Sequence, residues 1–269
     1  MKALSSSALS HPALSRPEQV LLAALLAALA LAAWGPSVAQ HAQYHAFADQ
    51  RGWHGLPCAM DVLTNLPFAV VGLWGLVRLW QASLQRSLND HWQLAAVFFG
   101  GLLVTAAGSS YYHWQPDNHG LAWDRLGMVV AFAGLLGMAV AERISLRAGV
   151  ATLAATLLAG PVAVLVWYQT GDLLPWVVVQ AGGMLLLLAL ALRQPTPDGW
   201  GLSLAPVVAL YTLAKLLELG DHSVFGWTGG LVSGHSLKHV VAALAAWPVI
   251  AVMHNHPQFR LHQAAKVWA

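Results

Sequence analysis

The stretch 108-GSSYYHWQPDNHGLAWDRLGM-128 joins two long apolar runs, which extend over residues 92–113 and 122–142. Pro116 and the Asp117-Asn118 pair are turn formers, so the stretch is predicted to be a helix–loop–helix hairpin. Each run is about as long as the roughly 20 residues with which a helix crosses a bilayer. The hairpin therefore predicts two membrane-spanning helices whose polar residues meet at one membrane face.

The composition of the whole chain agrees with this prediction. Of the 269 residues, 58% are hydrophobic and only 9% are charged, whereas soluble domains carry about 25% charged residues. We therefore predict an all-α integral membrane protein. The formal net charge of +2 is too small to indicate a nucleic-acid partner. The single cysteine, Cys58, excludes an internal disulfide and argues against a cysteine-based metal site.

Apolar runs between polar breaks predict eight spans. They are 18–38, 61–81, 92–113, 122–142, 148–168, 173–193, 201–219 and 232–253. The first is either a retained helix or a cleaved signal peptide, because 38-VAQ-40 is an acceptable cleavage site. We expect an N-terminal segment with an extra helix (1–43), a catalytic domain (44–253) and an inner-side tail (254–269).

The basic residues indicate the orientation of these spans. Cytoplasmic loops are enriched in lysine and arginine. With the N-terminus inside, two basic residues lie outside, Arg51 and Arg125, and nine lie inside: Lys2, Arg16, Arg78, Arg86, Arg143, Arg147, Arg193, Arg260 and Lys266. Both termini are therefore predicted to be cytoplasmic.

Ionisable side chains are costly within spans, so they mark candidate functional sites. In this topology polar residues from five segments reach the outer membrane face, while the inner halves of the spans hold little comparable. The outer set comprises Asp61, Asn65, Ser109, His113, Asp124, Arg125, Lys215, Glu218, Asp221, His222, His235 and His239.

Histidines within this set have the spacing of metal ligands. His235 and His239 are four residues apart and share one helix face, and His113 lies at the same predicted depth. Three imidazoles with an open fourth position form a hydrolytic zinc site. Imidazole ligands favour Zn²⁺, with Fe, Cu and Ni left open. Near such an ion, Asp124 could accept a proton from water and Ser109 could hydrogen-bond a carbonyl oxygen.

Each of these residues also has a structural interpretation. His235 and His239 could form helix–helix hydrogen bonds, or bind haem together with His113 on a facing helix. Ser109 could be a packing residue. Asp124 and Arg125 could be an ordinary ion pair at a helix start.

Further residues are interpreted as scaffold. Lys215 and Glu218, three residues apart, are predicted to be a buried structural pair, and Asp117 is assigned to the turn. His45, His54, His119 and His222 are predicted to be loop residues. An interfacial aromatic belt is expected from Tyr111, Tyr112, Trp114 and Trp123.

The set Ser109-x-x-x-His113, Asp124 eleven residues on, and His235-x-x-x-His239 resembles the alkaline ceramidase family. This family belongs to a superfamily of seven-helix membrane hydrolases that includes the adiponectin/progestin receptors. The similarity covers roughly residues 44–253. Besides the hairpin, 61-DVLTNLPF-68 and 233-SGHSLKHVVAAL-244 carry it.

The resemblance implies a seven-helix core preceded by one extra helix, as in bacterial-type members. It implies zinc held by His113, His235 and His239, with Ser109 and Asp124 as catalytic residues. The implied reaction is cleavage of a ceramide-like lipid amide to a sphingoid base and a fatty acid, near the outer leaflet of a bacterial inner membrane. A lipid receptor with a structural zinc site is the alternative.

The segment before the first core helix does not resemble that of the eukaryotic family members. Eukaryotic members have an acidic calcium site there, whereas 47-FADQRGWHGLPCAMDVL-63 has few carboxylates. Cys58 stands about where the family has a glutamate, so the calcium site is not carried over to this chain.

Overall fold

The computed structural model describes residues 13–84, 91–197 and 199–255. Its helices are α1 (Arg16–Trp34), α2 (Ala59–Leu63), α3 (Leu66–Leu84), α4 (Trp92–Trp114), α5 (Asn118–Arg143), α6 (Leu146–Thr170), α7 (Leu174–Ala191), α8 (Leu204–Leu219), α9 (Asp221–Trp227), α10 (Gly234–Leu244) and α11 (Trp247–Asn255). Outside the described residues lie most of the expected tail 254–269 and four of the basic residues used for orientation: Lys2, Arg86, Arg260 and Lys266.

Seven helical stretches in the described part of the chain are long and apolar enough to cross a membrane. The helices α2 and α3 together form one of them, and α10 continues into α11 to form another. These spans confirm an all-α membrane protein. The expected span 201–219 folds as α8, which has 16 residues, fewer than the roughly 20 of a typical span. The count of eight therefore stays a prediction.

The bundle has two polar ends. We call the end where α4 finishes and α10 begins the histidine end, and the end where α5 finishes and α6 begins the opposite end. The helix α5 runs through the middle, because 72% of its most apolar stretch is buried by the rest of the chain, against 11% for α1. The hairpin α4–α5 is thus central, and α1 lies at the periphery.

Small residues allow α4 and α5 to pack with their backbones in contact. A Cβ atom added at Gly108 would lie 2.6 Å from the carbonyl oxygen of Trp123, and one added at Gly127 would lie 2.9 Å from that of Val104. The approach at Gly108 places the next residue, Ser109, beside the first turns of α5. The glycine therefore helps to position a candidate catalytic pair.

We expect Gly108→Ala to lower the free energy of unfolding by about 1–3 kcal/mol, the usual effect of overpacking. Gly100→Ala, in the same helix, is the matched control, because no atom lies within 4 Å of its added Cβ. Removing an interior glycine from a helix by itself stabilises by about 0.5–1 kcal/mol. Thermal unfolding in detergent would measure both variants, and equal midpoints would contradict the close packing.

The opposite end holds a buried polar cluster, so the expectation of few polar residues in the inner halves of the spans was wrong. The Glu142 carboxylate accepts backbone N–H bonds from Trp200 (2.6 Å), Gly201 (3.0 Å) and Leu202 (3.1 Å). Buried carboxylates need such donors. Glu142 thereby fixes the loop before α8, and with it the register at which α8 reaches the histidine end.

The peripheral helix α1 is attached to the core at both of its ends. At the opposite end, two Arg147 nitrogens donate to the Glu18 carboxylate at 2.6 Å. At the histidine end, the backbone N–H of Val38 donates to Asp172 at 3.0 Å, and the N–H groups of Val38 and Leu174 hold the pKa of that carboxyl below its usual value. These contacts fit a retained helix, and retention stays a prediction.

Candidate metal centre

Three buried histidines meet at the histidine end. His113 comes from the last turn of α4, and His235 and His239 come from the first two turns of α10. One ring nitrogen from each lies within 4.8 Å of those of the other two, and the Nε2 atoms of His113 and His235 are 3.2 Å apart. The predicted three-imidazole group therefore exists, although His113 is more than a hundred residues from the other two in the sequence.

The hydrogen bond of His239 indicates which of its nitrogens is free to bind a metal. Thr64 has one hydroxyl proton, and its Oγ1 lies 2.7 Å from the Met60 carbonyl oxygen, to which it donates. Oγ1 must then accept from His239 Nδ1, which is 3.0 Å away. The remaining Nε2 atom is buried without a hydrogen-bond partner. An unprotonated Nε2 in a group of three histidines suits Zn²⁺.

We expect Thr64→Val to weaken zinc binding about 10–100-fold, the usual effect of losing a partner that orients a ligand. Thr64→Ser keeps the hydroxyl and should bind zinc like the unmodified protein. Competition with a chromophoric chelator would measure both dissociation constants. The assigned tautomer would be wrong if valine left the constant unchanged.

Ser109 and Asp124 lie beside each other next to this group. Both are buried, and the close α4–α5 approach at Gly108 brings the Ser109 hydroxyl near the Asp124 carboxylate. Ser109 precedes His113 by four residues, so the two share a face of α4. The structure thus places a hydroxyl and a carboxylate on the same side of the hairpin as the candidate metal ligand.

Arg125 does not form the ordinary ion pair with Asp124 that the sequence left open. Its guanidinium carbon lies 3.9 Å from the centre of the Trp167 ring and 5.4 Å from that of Trp176. One nitrogen, Nη2, donates to Gln40 at 3.1 Å. Stacking on aromatic faces is a typical role of arginine. Asp124 is therefore not committed to its neighbour.

Several contacts that the sequence did not indicate hold the start of α10. Ser233 caps the helix by accepting from the Ser236 N–H at 2.9 Å. Asp221 accepts the His235 N–H at 2.8 Å, and Asp61 accepts the Ser236 hydroxyl at 2.6 Å. Three segments thus fix the helix that carries two of the three histidines.

The loop before α2 covers the group from the histidine end. The ring of Phe47 lies 4.7 Å from that of His113 and 4.5 Å from that of His235, measured between centroids. Asp221 accepts the next backbone N–H, that of Ala48, at 2.9 Å. Because no periodic pattern marks this loop, Phe47 was not recognised in the sequence.

Carboxylates in the same loop are occupied by other partners. Arg51 donates two bonds to Asp49, at 2.8 and 2.6 Å, which holds the pKa of Asp49 below its usual value. Within the described ranges, the three histidines form the one group of three or more potential ligands close enough to share an ion.

The scaffold predictions were right for some residues and wrong for three. His119 and His222 lie in α5 and α9 and not in loops, and Tyr112 is the third. Asp117 caps α5 by accepting the Gly120 N–H at 2.7 Å. Lys215 pairs with Glu218 as predicted, but the pair is half-buried and not buried. Tyr112 does not belong to an interfacial belt, because it is only 1% exposed and its hydroxyl bonds His45 Nδ1 at 2.8 Å. The other three expected belt aromatics are exposed: Tyr111, Trp114 and Trp123.

The geometry also disfavours the haem hypothesis. Axial ligands stand on opposite faces of a porphyrin, whereas the Nε2 atoms of His113 and His235 are 3.2 Å apart. The ring of Phe47 packs against both. No space for a porphyrin separates these imidazoles.

Comparison with known proteins gave no match to a protein family, a curated protein or a solved structure. The resemblance to the alkaline ceramidases therefore stays a prediction, carried by the motifs themselves.

Proposed function

We propose that this protein is a zinc-dependent membrane hydrolase that cleaves the amide bond of ceramide or a related lipid amide. The observation that carries the proposal is the convergence of three buried histidines, with the Ser109–Asp124 pair beside them. Histidine-only ligand sets with an open position are typical of hydrolytic zinc sites. The motif resemblance supports a lipid amide as the substrate.

The zinc ion, held by His113, His235 and His239, would supply a Lewis acid that polarises the carbonyl and makes water more acidic. Asp124 then takes a proton from the attacking water as the oxygen bonds to the carbonyl carbon. The Ser109 hydroxyl turns from Asp124 to the carbonyl oxygen and donates to it as negative charge develops. When the C–N bond breaks, Asp124 returns the proton to the amine, and the fatty acid that forms gives its remaining proton to the amine to leave a carboxylate.

The cover formed by Phe47 supports entry of the substrate from the bilayer. This ring and its anchored loop block the direct path from the histidine end, so a lipid reaches the centre laterally between helices. The distribution of basic residues supports a cytoplasmic location for both termini and, with it, an outer-leaflet location for the histidine end.

A second function is favoured by the same cover. Phe47 packs directly on two of the three histidines, as expected of a closed, structural metal site. A lipid-binding receptor would use such a site for stability and would have no exchangeable water on the metal. X-ray absorption spectroscopy of the zinc-loaded protein distinguishes the two functions, because a coordinated water supports the hydrolase and a fourth protein ligand supports the receptor.

Metal analysis and a lipid-amide panel on one preparation test the proposed function. We expect about one zinc per chain and release of fatty acid from ceramides or related amides. Bound zinc without release from any amide would overturn the hydrolase and leave the receptor. Activity without zinc would overturn the metal role.

A further inference from the structure

A charged cluster beside the metal centre suggests what the amine half of the substrate carries. Lys215 Nζ lies 2.5 Å and Lys238 Nζ lies 2.8 Å from the two oxygens of Glu218. One carboxylate therefore serves two ammonium groups. Because unpaired charge is costly in a membrane protein, the surplus positive charge indicates a place for an additional anion.

The cluster is adjacent to the candidate reaction site. Lys238 directly precedes His239 in α10 and lies within electrostatic range of all three histidines and of Asp124. Asp61 is also within its range, but Asp61 bonds Ser236. Residues 236 and 238 point to nearly opposite sides of a helix. Asp61 therefore does not neutralise the positive charge of Lys238 on the face where it meets Glu218.

The same face of α8 carries three polar side chains. Tyr211, Lys215 and Glu218 recur at the spacing of one helix face, and all three are half-buried. The Lys215 side chain keeps 41% of its surface accessible while its ammonium pairs with Glu218. A ligand can therefore still reach this ammonium, and Lys238 links it to the helix that carries His239.

A third cation directly follows Asp124 in α5. Arg125 is 2% exposed, and its Nε and Nη1 atoms have no hydrogen-bond partner. Its guanidinium carbon lies 5.5 Å from the centre of the Tyr44 ring. Buried donors without partners are costly, so Arg125 adds to the attraction for an anion near Asp124.

We propose that Lys215 and Lys238 bind a carboxylate or phosphate carried by the amine half of the lipid amide. The substrates are then acidic N-acyl lipids, such as acylated amino acids, rather than neutral ceramides. The inference rests on the proposed function for the amide bond itself. A neutral or cationic amine half gains nothing from the second ammonium, whereas an anion pairs with it directly.

The test compares two amides that differ in one group, N-dodecanoylglycine and N-dodecanoylethanolamine, with free dodecanoate as a third ligand. Binding to detergent-solubilised protein is measured by calorimetry in an Asp124→Asn background, so that no amide is consumed. We expect the anionic amide to bind at least about tenfold more tightly than the neutral one, as for a hydrogen bond to a charged group. Lys215→Gln and Lys238→Gln should each remove most of this preference.

Glu218→Gln removes the negative charge with little change in side-chain size. Both ammonium groups then lack their carboxylate partner, so the preference for the anionic amide should increase. A merely structural network predicts that all three variants weaken both amides equally, and that result would overturn the proposal. Arg193→Gln, an exposed cation outside the cluster, is the control for net charge and should change nothing. If the lysine substitutions weaken only the binding of free dodecanoate, the cluster binds the fatty acid product, and this result also overturns the proposal.

Hydrolysis by the protein with Asp124 intact separates this inference from the proposed function. If both amides are cleaved with equal kcat/KM, the hydrolase stands and the anion site fails. If neither is cleaved but the binding preference follows the lysines, the hydrolase fails and the anion site stands.

Discussion

Replacing both His235 and His239 with alanine is expected to reduce bound zinc from about one ion per chain to almost none, and to abolish amide hydrolysis. Two of the three imidazoles that converge within 4.8 Å are then absent. His113 alone retains one ligand, whereas protein zinc sites use three or four. Elemental analysis of the purified protein gives the metal content, and fatty acid release gives the activity.

His119→Ala is the matched control, because this histidine is exposed and lies outside the group. It should keep zinc and activity. Helix content and gel filtration show whether the double variant folds, since α10 is also held by Ser233, Asp221 and Asp61, which remain. A folded double variant with normal zinc content would show that the metal lies elsewhere or is absent.

The spans could be predicted because bilayer length and apolar composition are local properties. The predicted run 92–113 is the helix Trp92–Trp114, and 122–142 lies within Asn118–Arg143. The same rule overestimated the length of the span 201–219, because the helix begins only at Leu204. The beginning of α8 depends on Glu142, which binds the preceding loop from a different helix, and no local pattern reveals such a contact.

The histidine group could also be predicted, because the topology read from the sequence brings residues 113, 235 and 239 to one depth. What surrounds it could not. Thr64 and Phe47 contact these histidines, but neither a threonine in an apolar run nor a phenylalanine in a loop stands out in a sequence. Their importance comes from tertiary proximity alone.

Tyr112 shows why an aromatic residue near a helix end is ambiguous. Tyr111 and Tyr112 are sequence neighbours, yet the first is exposed and the second is buried. Neighbouring residues of a helix point about 100° apart, so one reaches lipid and the other reaches the core. The sequence indicates how deep both residues lie in the membrane, but not which face of the helix each residue occupies.

Replacing Asp124 with asparagine is expected to leave zinc binding intact and to lower kcat by about 10²–10⁴-fold, the usual contribution of a general base. Asparagine has the size of aspartate and can still accept a bond from the Ser109 hydroxyl, but it cannot take a proton from water. The histidines supply the metal ligands, so the metal content should not change. Metal content and kcat measured on the same sample separate a catalytic carboxylate from a metal ligand.

Asp117→Asn is the matched control for this substitution, because it makes the same chemical change seven residues earlier, at the cap of the same helix. Asparagine caps helices about as well as aspartate, so activity should remain. Zinc lost together with activity in Asp124→Asn would make Asp124 a fourth metal ligand and favour the closed site of a receptor. Unchanged turnover would instead remove Asp124 from the mechanism.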